Sequence, residues 1–265
     1  MKTFAHALLF WLACSLSSSA GAFDLSEALK NAVTQKSGYS ETEEAAIGRQ
    51  IAGNLLGAAP LVADKKLQKY VNNVGRWIAL QSERPDLAWH FGVIDSSDIN
   101  AFAAPGGYVF VTLGLYRLLN DEAELAGVLA HEIGHVVKKH HLKILQQSRM
   151  IDFGSRLIGK QVDAGIAGLI GSGAEIVSRS LDKGAEFEAD RIGVVLASRA
   201  GYDPYGLPVV LQRIGQHAAD DGSVALLFKT HPHPDERLAK LGEAMDNHFD
   251  ALGGLNLEKR FYRAK

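Results

Sequence analysis

Apolar residues recur at intervals of three and four along much of this chain, the spacing of amphipathic helices. Such stripes run from Leu25 to about Val33 and from Glu43 to about Leu56. Ser40 stands three residues before Glu43, which is the spacing of a capping box, and the stripe then continues through Ile47, Ile51 and Leu55. A further helix is predicted from Asp64 to about Gln81, with Leu67, Tyr70, Val71, Val74, Trp77 and Ile78 on one side, ending before Pro85. The pattern then changes to short runs rich in aromatic and β-branched residues, Trp89 to Ile94 and Tyr108 to Thr112, the second entered through Pro105, Gly106 and Gly107. These predict strands, and only enough of them for a small sheet.

The strongest helical pattern runs from Asp121 to about Leu145. Asp121 and Glu124 have capping-box spacing, and Leu125, Leu129, Ile133 and Val136 mark the buried side. Between Ala164 and Val177 lies a Gly- and Ala-rich apolar stretch, too short and too interrupted to span a bilayer, expected as a closely packed helix or a mobile cover. Another helix is predicted from Lys183 to Arg199, stopped by Gly201 and Asp203-Pro204, followed by one from Gly206 to about His217 and a His-Pro-rich loop at 230–234. No internal repeat marks a solenoid. The predicted class is α+β, mainly helical with a small sheet.

At the N-terminus Lys2 precedes an apolar run from Phe4 to Leu16 and a small-residue run from Ser17 to Ala22, in which Ala20 and Ala22 suit signal peptidase. Residues 1–22 are therefore expected to be a cleaved export signal that sends the protein to the periplasm. The apolar run is shorter than the roughly 18 to 20 residues a bilayer span needs, so the mature chain is expected to carry no transmembrane segment. Cys14 would be the acylated residue of a lipoprotein, but the bulky Trp11 just before it fits that pattern poorly. Residues 23–265 are read as a single domain with N-terminal accessory helices. Cys14 is the one cysteine, so the mature chain has neither disulfides nor thiolate metal sites, and any metal must be held by His and carboxylates. The formal net charge of -2 supplies no basic excess for phosphate backbones, which argues against nucleic acid as a partner.

Residues 131 to 135 read His-Glu-Ile-Gly-His. Four positions return about 40° around a helix axis, so both imidazoles reach one metal ion. The apolar positions centre roughly 135° away from the two histidines, so the same helix buries one side and offers ligands on the other. Glu132 falls about 100° from His131, where its longer side chain reaches a water at the metal without being a ligand, the place of a general base. Gly134 costs about 1 kcal/mol inside a helix relative to Ala, which predicts close approach of another backbone. A third ligand is expected from the segment Lys183 to Arg191, which offers Glu186, Glu188 and Asp190. Glu186 and Asp190 are four apart and share a face, while Glu188 points elsewhere. Glu186 is assigned to the metal, and Asp190 to accepting the free N–H of a ligating histidine. Two histidines and a carboxylate are the donor set of a single zinc ion.

Four segments in order, Asn100 to Val111, Glu124 to His135, Glu186 to Gly193 and His231 to Arg237, resemble a known family. It is that of the zinc peptidases of the CAAX prenyl endopeptidase and heat-shock membrane protease type, metallopeptidase family forty-eight, and its soluble periplasmic members look closest. The resemblance implies a zincin-like metalloprotease domain with His131, His135 and Glu186 as zinc ligands, Glu132 as catalytic base and Asp190 as partner of a ligating histidine. It also implies that His231, with His233 as its rival, lies near the metal to stabilise the oxyanion or occupy the open metal position, and that Arg237 orients the site. Asn100, Ala101, Phe102, Gly106, Gly107 and Tyr108 resemble a substrate-side edge strand, which binds extended peptide through backbone hydrogen bonds.

The implied activity is cleavage of misfolded or misassembled envelope proteins in periplasmic quality control, with outer-membrane proteins or their assembly machinery among the partners. Two other readings are a zinc-stabilised periplasmic chaperone with latent proteolytic activity and a structural envelope component. No run is long enough for the membrane helices of the family's integral members, which argues against a prenylated membrane substrate.

Overall fold

A computed structural model describes residues 38–147, 181–217 and 221–264. The leader, the stripe at 25–33 and the stretch at 164–177 lie outside these residues. Helix α1 (Glu41–Ala58) begins with the predicted capping box: Ser40 Oγ accepts from the Glu43 N–H, and the Glu43 carboxylate accepts from the Ser40 N–H at 2.9 Å. Helix α2 (Lys65–Ala79) is capped by Asp64, which accepts from the N–H groups of Lys66 and Leu67. Leu67, Val71, Val74 and Ile78 are buried in the main core. Trp77, predicted on the same side, is instead 51% exposed, with its indole N–H donating to Ala200 O.

Three strands follow, β1 (His90–Ile94), β2 (Ala101–Ala104) and β3 (Tyr108–Thr112), in the spatial order β1-β3-β2. Strand β1 runs parallel to β3 with His90 opposite Tyr108, and β2 runs antiparallel with Ala101 opposite Val111 and Ala104 opposite Tyr108. Strand β2 carries no pattern signal of its own, because Ala-Phe-Ala-Ala lacks the β-branched residues that mark a strand, and only the family resemblance points to a strand there. The turn between β2 and β3 uses Gly106 and Gly107 at φ 75° and 94°, values that L side chains rarely adopt. Of the residues read as an edge strand, Ala101 and Phe102 lie on the outer strand β2 and Asn100 immediately precedes it. Gly106 and Gly107 are in the turn, and Tyr108 is on the central strand, with partners on both sides.

A short helix, α3 (Leu113–Leu118), leads to α4 (Glu122–Val137), which is buried along its whole length. Asp121 caps α4 by accepting from the Glu124 N–H at 2.8 Å. The reciprocal half of the predicted box is replaced, because the Glu124 carboxylate accepts from the Asn120 N–H and from Arg213. Continuity to Leu145 is also corrected: α4 stops at Val137, Lys139 takes a φ of 56°, and helix resumes over residues 140–147. Tertiary contacts hold this break. Lys139 Nζ lies 3.1 Å from the buried Glu44 carboxylate, and Leu142 and Leu145 join a second apolar cluster with Ile51, Phe102 and Ala104.

Helix α5 (Lys183–Arg199) has the predicted bounds, and α6 (Gly206–Ile214) ends slightly early. Helices α7 (Ala225–Thr230) and α8 (Pro234–Met245) flank the His-Pro loop. Pro234 opens α8, where the N–H it lacks has no helical partner to lose. The last residues close over the start of α4: Arg260 pairs with the buried Glu122, and Phe261 stacks on Tyr116 at 5.1 Å. The architecture is α+β and mainly helical. Among the described residues, no helix is long and apolar enough to cross a membrane.

Candidate metal centre

The site lies where α4 crosses α5, and two glycines set how closely they pack. A Cβ on Gly134 would sit 3.2 Å from Ala189 Cα, and one on Gly193 would sit 3.0 Å from the backbone nitrogen of His131. The close approach predicted from Gly134 is therefore present, and it brings the carboxylates of α5 against the histidines of α4.

On the α4 side of this crossing His131 Nε2 and His135 Nε2 face each other at 3.0 Å. Glu186 places Oε1 3.5 Å from His135 Nε2 and Oε2 3.7 Å from His131 Nε2. His231, at the C-terminal cap of α7, brings Nδ1 to 2.7 Å from Glu186 Oε2. One donor atom from each of these four buried residues lies within 4.8 Å of the others. Glu186 Oε1 is buried with no hydrogen-bond partner, an arrangement that costs more than about 1–3 kcal/mol for a charged acceptor. Two facing imidazole nitrogens and an orphaned carboxylate oxygen make chemical sense around a cation, and this donor set fits zinc. His233 is separated from the cluster: it is exposed, caps α8 and packs beside Phe228.

Burial pushes His135 well below the ordinary imidazole range, with the neighbouring histidines adding to the effect against the pull of Glu186. A neutral ring is the form that offers a lone pair. Burial also works against charge on Glu186, but His231, His135 and Arg237 outweigh it and hold the carboxyl well below its usual range. For His231 burial opposes protonation, and the charge and hydrogen bond of Glu186 overcome it, raising the pKa. Glu132 is buried next to the two histidines of its motif, and burial pushes its carboxyl up despite nearby His131 and His231.

Asp190 Oδ1 stands 2.9 Å from His131 Nδ1 and accepts its N–H. Arg237 grips the same carboxylate with two bonds, Nε to Oδ2 at 2.9 Å and Nη2 to Oδ1 at 2.6 Å. Its Nη1 lies 3.9 Å from Glu186 Oε2. Both members of the pair are buried, and burial, which disfavours either charge, is outweighed by their attraction.

Two residues near the site, His140 and His141, have no signal in the sequence, and Glu188, read as pointing away from the metal, does so but meets His140. His140 Nδ1 is 2.9 Å from His135 Nδ1, and His140 Nε2 is 3.1 Å from Glu188 Oε2. The His141 ring is 5.9 Å from that of His135, and burial lowers its pKa to about 4. On a continuous helix His140 would stand about 140° around the axis from His135. Its place depends on the break at Lys139, which periodicity does not signal. A cavity of about 10 Å³ beside Glu132, His135 and His231 is walled on one side by Ala101, Phe102 and Ala103 of β2. That is room for a single water molecule.

A helix-borne His-Glu-x-x-His completed by a carboxylate from a crossing helix defines a class, the zinc metallopeptidases. Within it, the chain belongs to peptidase family M48, whose match covers residues 65–245. The beta-barrel assembly-enhancing protease of Yersinia pestis is 34% identical over 207 residues, 74% of this chain and 43% of that protein. The protein of the same name from Escherichia coli K12 is 33% identical, with 74% and 42% covered. The mitochondrial metalloendopeptidase OMA1 of Schizosaccharomyces pombe is 32% identical over 180 residues, 66% of this chain and 52% of that protein. This chain thus spans less than half the length of its bacterial relatives.

Proposed function

We propose that this protein is a zinc-dependent endopeptidase that cleaves unfolded or misassembled proteins of the bacterial envelope. The observation that carries the reading is the convergence of His131, His135 and Glu186 beside the buried carboxylate of Glu132, with the edge strand β2 lining the same cavity. His131, His135 and Glu186 would hold the zinc ion. When bound, zinc supplies a Lewis acid that acidifies water and polarises a peptide carbonyl.

Glu132 accepts the proton of the attacking water and delivers it to the leaving nitrogen. Its buried carboxyl stands next to the ligands His131 and His135, where it can take and return that proton. Asp190, held by Arg237, keeps His131 protonated on Nδ1 and so keeps its Nε2 lone pair directed inward. His231 is close enough to take a fourth coordination place or to donate a hydrogen bond to the oxyanion.

An extended peptide would add to β2 beside Asn100, Ala101 and Phe102 through backbone hydrogen bonds, a mode that reads conformation more than sequence. The cavity of about 10 Å³ does not hold a peptide.

On this reading residues 1–22 would be an export signal that sends the protein to the periplasm, and residues 23–265 one catalytic domain; the Lys2 and apolar Phe4 to Leu16 pattern supports it. The relatives named for β-barrel assembly support outer-membrane proteins or their assembly machinery as substrates and partners. No observation favours the chaperone reading over proteolysis. The test is to offer the zinc-loaded protein an outer-membrane β-barrel protein, unfolded in urea and diluted, or folded in detergent. Fragments from the unfolded form alone are expected. Equal cleavage of both forms would refute the preference, and suppressed aggregation without fragments would refute proteolysis.

A further inference from the structure

We infer that His140 and Glu188 are positioning residues that fix the tautomer and direction of His135 towards zinc. The inference rests on the zinc-site reading above and goes beyond it by adding a second arm that the ligand set does not contain.

The accounting of donors leads to it. His135 Nε2 faces His131 Nε2 at 3.0 Å and Glu186 Oε1 at 3.5 Å, so this nitrogen must keep its lone pair to serve as a ligand. The ring proton then sits on Nδ1 and needs an acceptor. A metal-bound histidine normally finds a carboxylate, a carbonyl or a water there. The group hydrogen-bonded to His135 Nδ1 is another imidazole, His140 Nδ1 at 2.9 Å. His140 can accept there only with its own proton on Nε2, and that nitrogen lies 3.1 Å from Glu188 Oε2. The three roles lock together: Glu188 accepts from His140, His140 accepts from His135, and His135 presents its lone pair to the metal. His131 reaches its carboxylate directly at Asp190, whereas His135 reaches one through an intervening ring.

The backbone is shaped around this contact. Regular helix would carry His140 about 140° away from His135. The chain instead breaks at Lys138 and Lys139, with Lys139 at a φ of 56°, a region that disfavours residues other than glycine. Glu44 holds the lysine that bears this strain. The His140 side chain is almost fully buried, while that of Glu188 is 39% exposed, so the arm runs from the metal ligand to the protein surface. Glu188 faces away from Glu186 and Asp190 along α5, and that is why it meets His140 and not the metal.

A histidine that merely fills the core would leave zinc affinity untouched when its partner is removed, and this separates the two roles. The experiment measures the zinc dissociation constant by competition with a chromophoric chelator, together with peptide cleavage, for wild type, Glu188→Ala, His140→Asn and the double variant. Glu188→Ala removes a partly exposed side chain and leaves the core intact. In His140→Asn the amide oxygen takes the place of Nδ1 as acceptor but the link to Glu188 is lost. Each single variant is expected to weaken zinc binding within the roughly 10- to 100-fold range of such outer partners. The double variant is expected to be no weaker than the weaker single one, because both changes cut the same link.

Additive losses, or zinc constants unchanged in all three variants while wild type binds the metal, would overturn the inference alone. Failure of wild type to bind zinc would overturn it together with the zinc-site reading.

Discussion

Gly193→Ala sets two effects of known sign against each other at the helix crossing. In a helix interior, alanine is favoured over glycine by about 1 kcal/mol. The new Cβ, however, would stand 3.0 Å from His131 N, 3.1 Å from His131 Cα and 3.4 Å from Ala130 C. All three are backbone atoms that cannot swing away, and comfortable carbon contacts lie at about 3.5–4.0 Å. Helix α5 must therefore back off by about 0.5 Å, and overpacking of this kind costs about 1–3 kcal/mol. The balance is a net destabilisation of about 0–2 kcal/mol.

The larger consequence falls on the metal. Glu186 travels with α5 and His131 with α4, and metal–ligand distances tolerate only about 0.2 Å. Zinc affinity is expected to fall even where stability barely changes, so the gain in Tm on adding zinc should shrink. Gly53→Ala is the control, because a Cβ there meets nothing within 4 Å, and it should gain about 1 kcal/mol with zinc affinity intact. The assay is thermal unfolding with zinc and with chelator, alongside the zinc dissociation constant. A Gly193→Ala protein as stable as the Gly53→Ala control, with wild-type zinc affinity, would refute the claim that this contact sets the ligand geometry.

Two further outcomes are expected. Arg237→Gln strands the buried Asp190 carboxylate, which should cost about 3–5 kcal/mol in urea unfolding, and Asp190→Asn in the same protein should restore part of the loss. Glu44 is buried and accepts from Arg84, Lys139 and the Gly106 N–H. Burial raises its pKa, but these partners outweigh it and hold the carboxyl below its usual range. The folded pKa is depressed, so its contribution is complete above about pH 4.3 and fades as pH falls through the folded value. Glu44→Gln should lose about 1.5–3 kcal/mol at pH 7, and the gap to wild type should close as unfolding is measured at lower pH. A gap that stays constant into strong acid would contradict this.

The legible parts of the fold were those whose signal lies within one element. Lys183–Arg199 and Tyr108–Thr112 match because each carries its own periodicity and its own stop or turn residues. The placement of His131, His135, Glu186 and Asp190 was legible for the same reason: i,i+4 spacing is a property of one helix, and Gly134 marked where a second would cross. Strand β2 was legible only through the family resemblance at Asn100 to Phe102, because its alanines carry no strand signature of their own and acquire one by pairing with β3. Helix α8 was hidden because Pro234 and His233 read as a loop, although proline suits a first helical turn. The break at Lys139 is held by Glu44, nearly a hundred residues earlier in the chain, and with it went the place of His140 and the partner that Glu188 meets on its own side of α5. Trp77 sat on the apolar side by spacing, yet its indole turned out to the rim to reach Ala200 O.

The most direct test of catalysis at this site is to measure zinc content and cleavage of an unfolded protein on the same preparations of wild type and Glu132→Gln. The substitution keeps the shape of the side chain and removes only its capacity to take a proton. Both proteins are expected to hold about one zinc ion per chain, with cleavage by Glu132→Gln reduced by about 10²- to 10⁴-fold. Equal cleavage by the two proteins, or a wild type that cleaves without holding zinc, would contradict the assignment of Glu132 as the base of a zinc peptidase.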